Sequence, residues 1–268
     1  MQLNPLPIGA DTPPIPEAKG WTASYDGSAG PLIDLSQAVP GYAPHPEMLA
    51  RLGRAAATSE AARYGDILGD AELRAAYAEH VRTAYGAPVV PDNVAITAGC
   101  NQAFFVATIA LAKAGDAVLL PSPWYFNHKM TLDMLGIEAI PLPCRAEAGF
   151  APDPQEAAGL LDERVRAIVL VTPNNPTGAV YPPATIRAFA ALCAERGLAL
   201  VLDETYRDFL PPDAGRPHDV LDRPDWRETA IQLYSFSKSY CIPGHRAGAI
   251  IAGERFLAEV AKIMDCLQ

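Results

Sequence analysis

The chain has 268 residues, half of them apolar and 19% charged, with a formal net charge of −10. This composition fits a globular protein with a substantial core and excludes the basic stripe of a nucleic-acid-binding surface. It also contains no run near the about 20 apolar residues of a membrane span. Five cysteines without C-x-x-C spacing (Cys100, Cys144, Cys193, Cys241, Cys266) and five dispersed histidines predict reduced thiols in the cytoplasm and no metal site.

Residues 1–45 are rich in proline and glycine and predict an extended arm laid over another surface, or a partly disordered one. From Pro46 the pattern changes to helices alternating with short apolar runs. "HPEMLARLGRAAATSE" and "GDAELRAAYAEHVRTAYG" predict two helices, the second capped by Asp70 and stopped by Gly86. "NVAIT" predicts a strand and "NQAFFVATIALAKAG" a helix ended by Gly115. "DAVLLP", "YFNHKMTLDMLG" and "EAIPLP" follow as strand, helix and strand. "RAIVLVTP", "PATIRAFAALCAERG" and "LALVLDE" repeat that order, and "TAIQLYSFS" and "HRAGAIIAG" complete seven strands. The runs AIVLV and LALVL are continuously apolar, as expected of strands covered by helices on both faces. Seven such strands with helical crossovers predict a three-layer α/β/α sandwich with a mostly parallel sheet, occupying residues 46–268. In "GERFLAEVAKIMDCLQ", Phe256, Leu257, Val260, Ile263, Met264 and Leu267 form one helical stripe. The stripe is still running where the sequence stops, and the expectation is a chain cut inside a helix.

In a parallel α/β sheet, ligands sit at the carboxyl ends of strands. Four strands here end in polar residues: "NVAIT" in "AGCNQA", "RAIVLVTP" in "NNPTG", "LALVL" in "DETY" and "IQLY" in "SFSK". These ends should converge on one crevice. Gly99, Cys100 and Asn101 open a helix, whose free N–H groups suit an anion. No GxxxxGK or GxGxxG fingerprint is present, so a nucleotide or dinucleotide site is not indicated. Lys238, at the end of an apolar strand, has a turn and Arg246 close behind it. A lysine that forms a covalent imine beside a bound phosphate needs such surroundings; a solvated surface lysine does not.

"NNPTG", "DETY" and "SFSKSYCIPGHRAG", in this order and spacing, resemble the large domain of class I/II aminotransferases, pyridoxal-phosphate enzymes of fold type I. The resemblance covers roughly residues 30–268. It implies that Lys238 is the Schiff-base lysine, its amine made nucleophilic by desolvation and nearby cations. Arg246, Ser235 and Ser237 would hold the cofactor phosphate with Gly99, Cys100 and Asn101. Asp203 would pair with the pyridine nitrogen, Asn175 and Tyr206 with the ring oxygen, and Tyr125 would stack on the ring. Trp124, Phe126 and Glu204 would be structural neighbours, and His128 and His245 accessory. Tyr64 resembles a tyrosine that reaches the phosphate in the partner's site, which implies a homodimer. Ala38 and Asn175 would lie near the substrate carboxylate.

The chemistry implied is transfer of an amino group between an amino acid and a 2-oxo acid, with Lys238 as base and then acid. Carbon–sulfur lyases and decarboxylases of the same fold share these residues, and a non-catalytic cofactor-binding module remains a third reading. Family members continue into a smaller C-terminal domain carrying an arginine for the substrate α-carboxylate, and this sequence stops before any such residue.

Overall fold

The computed structural model describes residues 1–267. Seven strands form one sheet: β1 (Val94–Thr97), β2 (Ala117–Ser122), β3 (Glu138–Pro143), β4 (Val165–Val171), β5 (Ala199–Asp203), β6 (Ala230–Ser235) and β7 (Gly248–Ile251). Their spatial order is β1-β7-β6-β5-β4-β2-β3. The five strands from β6 to β3 run parallel, while β7 is antiparallel to both β6 and β1. Because β1 and β6 both oppose β7, they point the same way. The carboxyl ends of β1, β4, β5 and β6 therefore meet along one edge of the sheet.

Eleven α-helices accompany the sheet in the described residues: α1 (Pro5–Gly9), α2 (Pro14–Ala23), α3 (Pro46–Ala56), α4 (Ala71–Tyr85), α5 (Cys100–Leu111), α6 (Phe126–Leu135), α7 (Pro154–Leu160), α8 (Pro183–Arg196), α9 (Trp226–Thr229), α10 (Phe236–Ser239) and α11 (Glu254–Asp265). The strand interiors are apolar because both faces are covered. Successive residues point to opposite faces, so Ile168, Leu170, Leu200 and Leu202 enter one core, beneath α4 and α8. Ala167, Val169, Val201 and Leu233 enter the other, with α5 and α11. Each fully buried Leu, Ile or Val contributes about 1.5–3 kcal/mol relative to exposure. The α11 stripe joins the second core through Leu257, Val260 and Met264, all at most 1% exposed.

Three expectations are corrected. The proline-rich start is not extended throughout: Pro5 and Pro14 each begin a helix, since proline's fixed φ and missing N–H suit the first helical turn. α5 ends at Leu111, because Ala112 is already extended, and Gly115, with φ +88°, serves the following turn instead. α7 lies in a stretch for which the sequence predicted no element; Asp153 caps it by accepting from the Gln155 N–H. Asp70 and Gly86 do bound α4 as expected, with Gly86 left-handed at φ 62°.

Candidate active site

The converging strand ends open into a cavity of about 720 Å³. Its floor is built by the ends of β4, β5 and β6, one wall by α5 and α6, and its roof by α2 and residues 35–39. Ala38, Cys100, Asn101, Tyr125, Asn175, Asp203, Tyr206, Ser235, Ser237, Lys238 and Arg246 all face it, so the expected site residues are brought together from six separate segments. A second cavity of about 390 Å³ between α5 and α6 shares Asn101 and Asn127 with the first; the rest of its lining is His128, Gln102, Thr131 and apolar side chains, with no Asp, Glu, Lys or Arg among the described residues.

Lys238 sits on α10, a single helical turn directly after β6. Ser235 caps this turn, its hydroxyl accepting from the Ser237 N–H. The Lys238 Nζ donates to the Ala38 carbonyl at 2.6 Å and lies 5.9 Å from the Tyr206 ring centre. Burial, and then the Arg246 charge, lower its pKa below the ordinary lysine value. Both effects favour the neutral, nucleophilic amine.

The anion-binding corner depends on close backbone approach. No side chain caps the start of α5. Arg246 reaches over that end, donating to the Ala98 carbonyl at 3.3 Å and the Pro243 carbonyl at 3.0 Å, with Ser237 Oγ at 3.5 Å. A Cβ on Gly99 would lie 2.3 Å from Arg246 Nη2, and Gly99 has φ +85°. On β7, a Cβ on Gly248 would meet the Gly99 carbonyl carbon at 2.6 Å and the Cys100 nitrogen at 2.8 Å. The two glycines thus let the loop after β1, the helix start and the guanidinium occupy one corner. That collection of N–H donors and positive charge suits a phosphate.

At the opposite side Asp203 is 3% exposed. Its Oδ1 accepts from the Thr205 N–H at 3.1 Å and the Thr205 hydroxyl at 2.7 Å. Its Oδ2 lies 3.3 Å from His128 Nε2 and 3.5 Å from the Cys100 thiol. Burial pushes the carboxyl up, but His128 and Thr205 outweigh it and hold the pKa below the usual value. Asp203 is therefore a fixed anion. His128 in turn stacks on Phe104 at 3.9 Å between ring centres.

The remaining residues divide by side. Burial, followed by the Asp203 charge, raises the Tyr206 pKa, with Asn175 acting in the opposite direction. Tyr125 donates to Asn127 at 2.8 Å and meets His128 edge-on at 5.1 Å. Phe126, expected only to pack, also faces the cavity, whereas Trp124 packs against the α5 core. Glu204 points away, receiving hydrogen bonds from Tyr85 at 2.8 Å and from Gln232. His245 is exposed. Tyr64 is fully exposed and lies outside the cavity. His128 and Thr205 were given no cofactor-site role by the sequence reading. The available signal was spacing: His128 lies one helical turn beyond Tyr125, and Thr205 two residues beyond Asp203.

The family model described as aminotransferase class I and II matches residues 30–267. A valine–pyruvate aminotransferase from Mycobacterium tuberculosis is 32% identical over 264 residues, covering 97% of this chain and 65% of its own length. A probable aspartate/prephenate aminotransferase from Aquifex aeolicus is 30% identical over 201 residues, 75% of this chain and 51% of its own. Among solved structures, aspartate aminotransferase from Thermus thermophilus with maleate superposes with a TM-score of 0.88 at 26% identity, over 98% of this chain and 68% of that one. The chain spans about half to two thirds of the length of these curated relatives. The sheet and its helices are those of the pyridoxal-phosphate fold type I, and with the match over residues 30–267 the chain belongs to the class I and II aminotransferase family.

Proposed function

We propose that the chain is the cofactor-binding part of a pyridoxal-phosphate-dependent aminotransferase that moves an amino group between an amino acid and a 2-oxo acid. One observation carries this reading. A half-buried lysine amine faces the same cavity as a buried carboxylate and an arginine-topped helix start. The residues fit the cofactor group by group. Gly99, Cys100, Asn101, Ser235, Ser237 and Arg246 would hold its phosphate, and Asn175 and Tyr206 its ring oxygen. Tyr125 would cover the ring and Asp203 would keep a proton on the ring nitrogen. When bound, pyridoxal phosphate supplies an electrophilic aldehyde and an electron-withdrawing ring. The chain's own contribution to the reaction would be proton traffic: Lys238 Nζ would take the proton from the substrate α-carbon and return it to the carbon that was the cofactor's aldehyde. Ala38 and Asn175 line the cavity and would lie near the substrate carboxylate.

The roof supports a substrate class. Ile15, Ala18, Trp21, Leu35 and Val39 face the cavity from α2 and the following segment, with Glu17 beside them. Apolar walls favour an apolar amino-acid side chain, and the Glu17 charge disfavours a second carboxylate. The alignment of nearly the whole chain with a valine–pyruvate aminotransferase agrees with this. The exposed Tyr64 and the exposed apolar Leu32, Ile33 and Tyr42 support a homodimer, and the free cysteines suit a reducing cytoplasm. The test is to load the protein with cofactor, add single amino acids and assay oxo acids. Valine-like substrates should yield their oxo acids faster than aspartate. Pyruvate and ammonia from a cysteine-like substrate would instead identify a lyase.

A further inference from the structure

Behind Lys238, on the side away from the cavity, a polar cluster joins residues that are distant in sequence. Asp208 Oδ2 accepts from the Ser239 hydroxyl at 2.7 Å and from the Tyr234 hydroxyl, and those two hydroxyl oxygens are 3.1 Å apart. Ser239 is the residue after Lys238, and Tyr234 lies on β6 just before α10. The carboxylate therefore grips the far end of the helical turn, while Ser235 caps its beginning. Asp208 is in turn held on its other side. The Arg207 guanidinium lies 4.3 Å from the Tyr234 ring centre, 5.4 Å from that of Tyr85 and 5.5 Å from that of Tyr77. Arg207 Nε is 3.6 Å from Asp208 Oδ1, and His80 on α4 approaches the same oxygen at 3.9 Å. A single helical turn has little stability of its own, so the position of its lysine depends on what anchors its two ends.

We propose that Asp208 is a positioning residue for Lys238, clamping the turn through Ser239 and Tyr234 so that the amine is presented at one place on the cavity rim. This rests on the reading of Lys238 as the cofactor lysine. It adds that the "RD" following "DETY" is part of the machinery that presents that lysine. Asp208 touches neither the cavity nor Lys238 Nζ; it acts through the backbone of the turn.

The test uses the full chain, pyridoxal phosphate and cyanoborohydride. Mass spectrometry reads the rate of covalent attachment at Lys238, with the exposed Lys262 as internal control and thermal melting measured in parallel. Asp208→Ala and Ser239→Ala should slow attachment at Lys238 by roughly 10- to 100-fold, the cost of a misplaced reacting group, with Lys262 unchanged. Asp208→Asn, which still accepts from both hydroxyls, should restore much of the rate. If Asp208→Ala does not fold, Ser239→Ala decides. A lower melting temperature with unchanged attachment at Lys238 would overturn the clamp and leave a structural ion cluster. Failure of the parent chain to react at Lys238 would overturn the cofactor reading, and the clamp with it.

Discussion

At Gly99 the absence of a side chain is what allows an arginine to reach a helix start. Alanine there would place a methyl group 2.3 Å from Arg246 Nη2 and hold an L-residue at φ +85°, ψ 169°, a glycine-only region whose strain is about 1–3 kcal/mol. The guanidinium would have to move. Losing one charge-assisted hydrogen bond to phosphate costs about 1.5–3 kcal/mol, so Gly99→Ala should weaken cofactor binding roughly 10- to 100-fold, read by absorbance titration. Of these residue-scale features, the strand-end residues Asp203, Asn175, Ser235 and Lys238 were legible because polar groups interrupted apolar runs. His128 was read only as accessory, since its contact with Asp203 joins residues 75 positions apart that only the packing of α6 against the sheet brings together. Asp208 was hidden for the same reason: its partner Ser239 lies 31 residues away.

Elements with continuous apolar runs or clear caps were readable; the proline-started α1, α2 and α7 were not. All seven strands lie to within a residue inside the runs that predicted them, β2 reaching Ser122 and β4 starting at Val165 one residue outside theirs; for the central strands β4, β5 and β6, burial on both faces leaves a continuous signal. α4 was bounded by its cap and stop. Asp70 accepts from the Glu72 N–H at 2.9 Å and the Leu73 N–H at 3.1 Å. Asp70→Ala should therefore cost about 1 kcal/mol and lower the melting temperature by about 2–4 °C, while leaving cofactor attachment at Lys238 unchanged. α1 and α2 escaped notice because proline marks both extended chain and the first helical turn, and only tertiary contact chooses between them: Leu6 of α1 packs beside Gly136 at the end of α6, and α2 roofs the cavity. α7, with only Ala157 buried, presents too narrow an apolar stripe to be read by periodicity.

For the molecule as a whole, three carboxylates on one segment link the site to stability. Asp203, Glu204 and Asp208 are each held below their usual values of 3.8, 4.5 and 3.8. In each case burial works the other way and is outweighed: by His128 and Thr205 for Asp203, by His218, Arg207 and Gln232 for Glu204, and by Tyr234, Ser239, Arg207 and His80 for Asp208. Depressed folded values mean that the unfolded chain takes up protons first as the pH falls. The stabilisation is complete above the usual carboxylate values and is lost as the pH drops through the folded ones. Melting temperature should thus hold steady down to about pH 5 and fall steeply below about pH 4, and Glu204→Gln should flatten that fall. A chain whose acid limb does not respond to Glu204→Gln would not be held together as described.

The central claim is that one particular amine at the sheet's rim is the point of attachment for an aldehyde cofactor. Borohydride reduction of the pyridoxal-phosphate-loaded chain, followed by peptide mapping, tests it directly. The expected result is a single reduced adduct on Lys238, lost in Lys238→Ala. Labelling confined to Lys19, Lys113, Lys129 or Lys262, or no adduct in a folded and loaded chain, would contradict it.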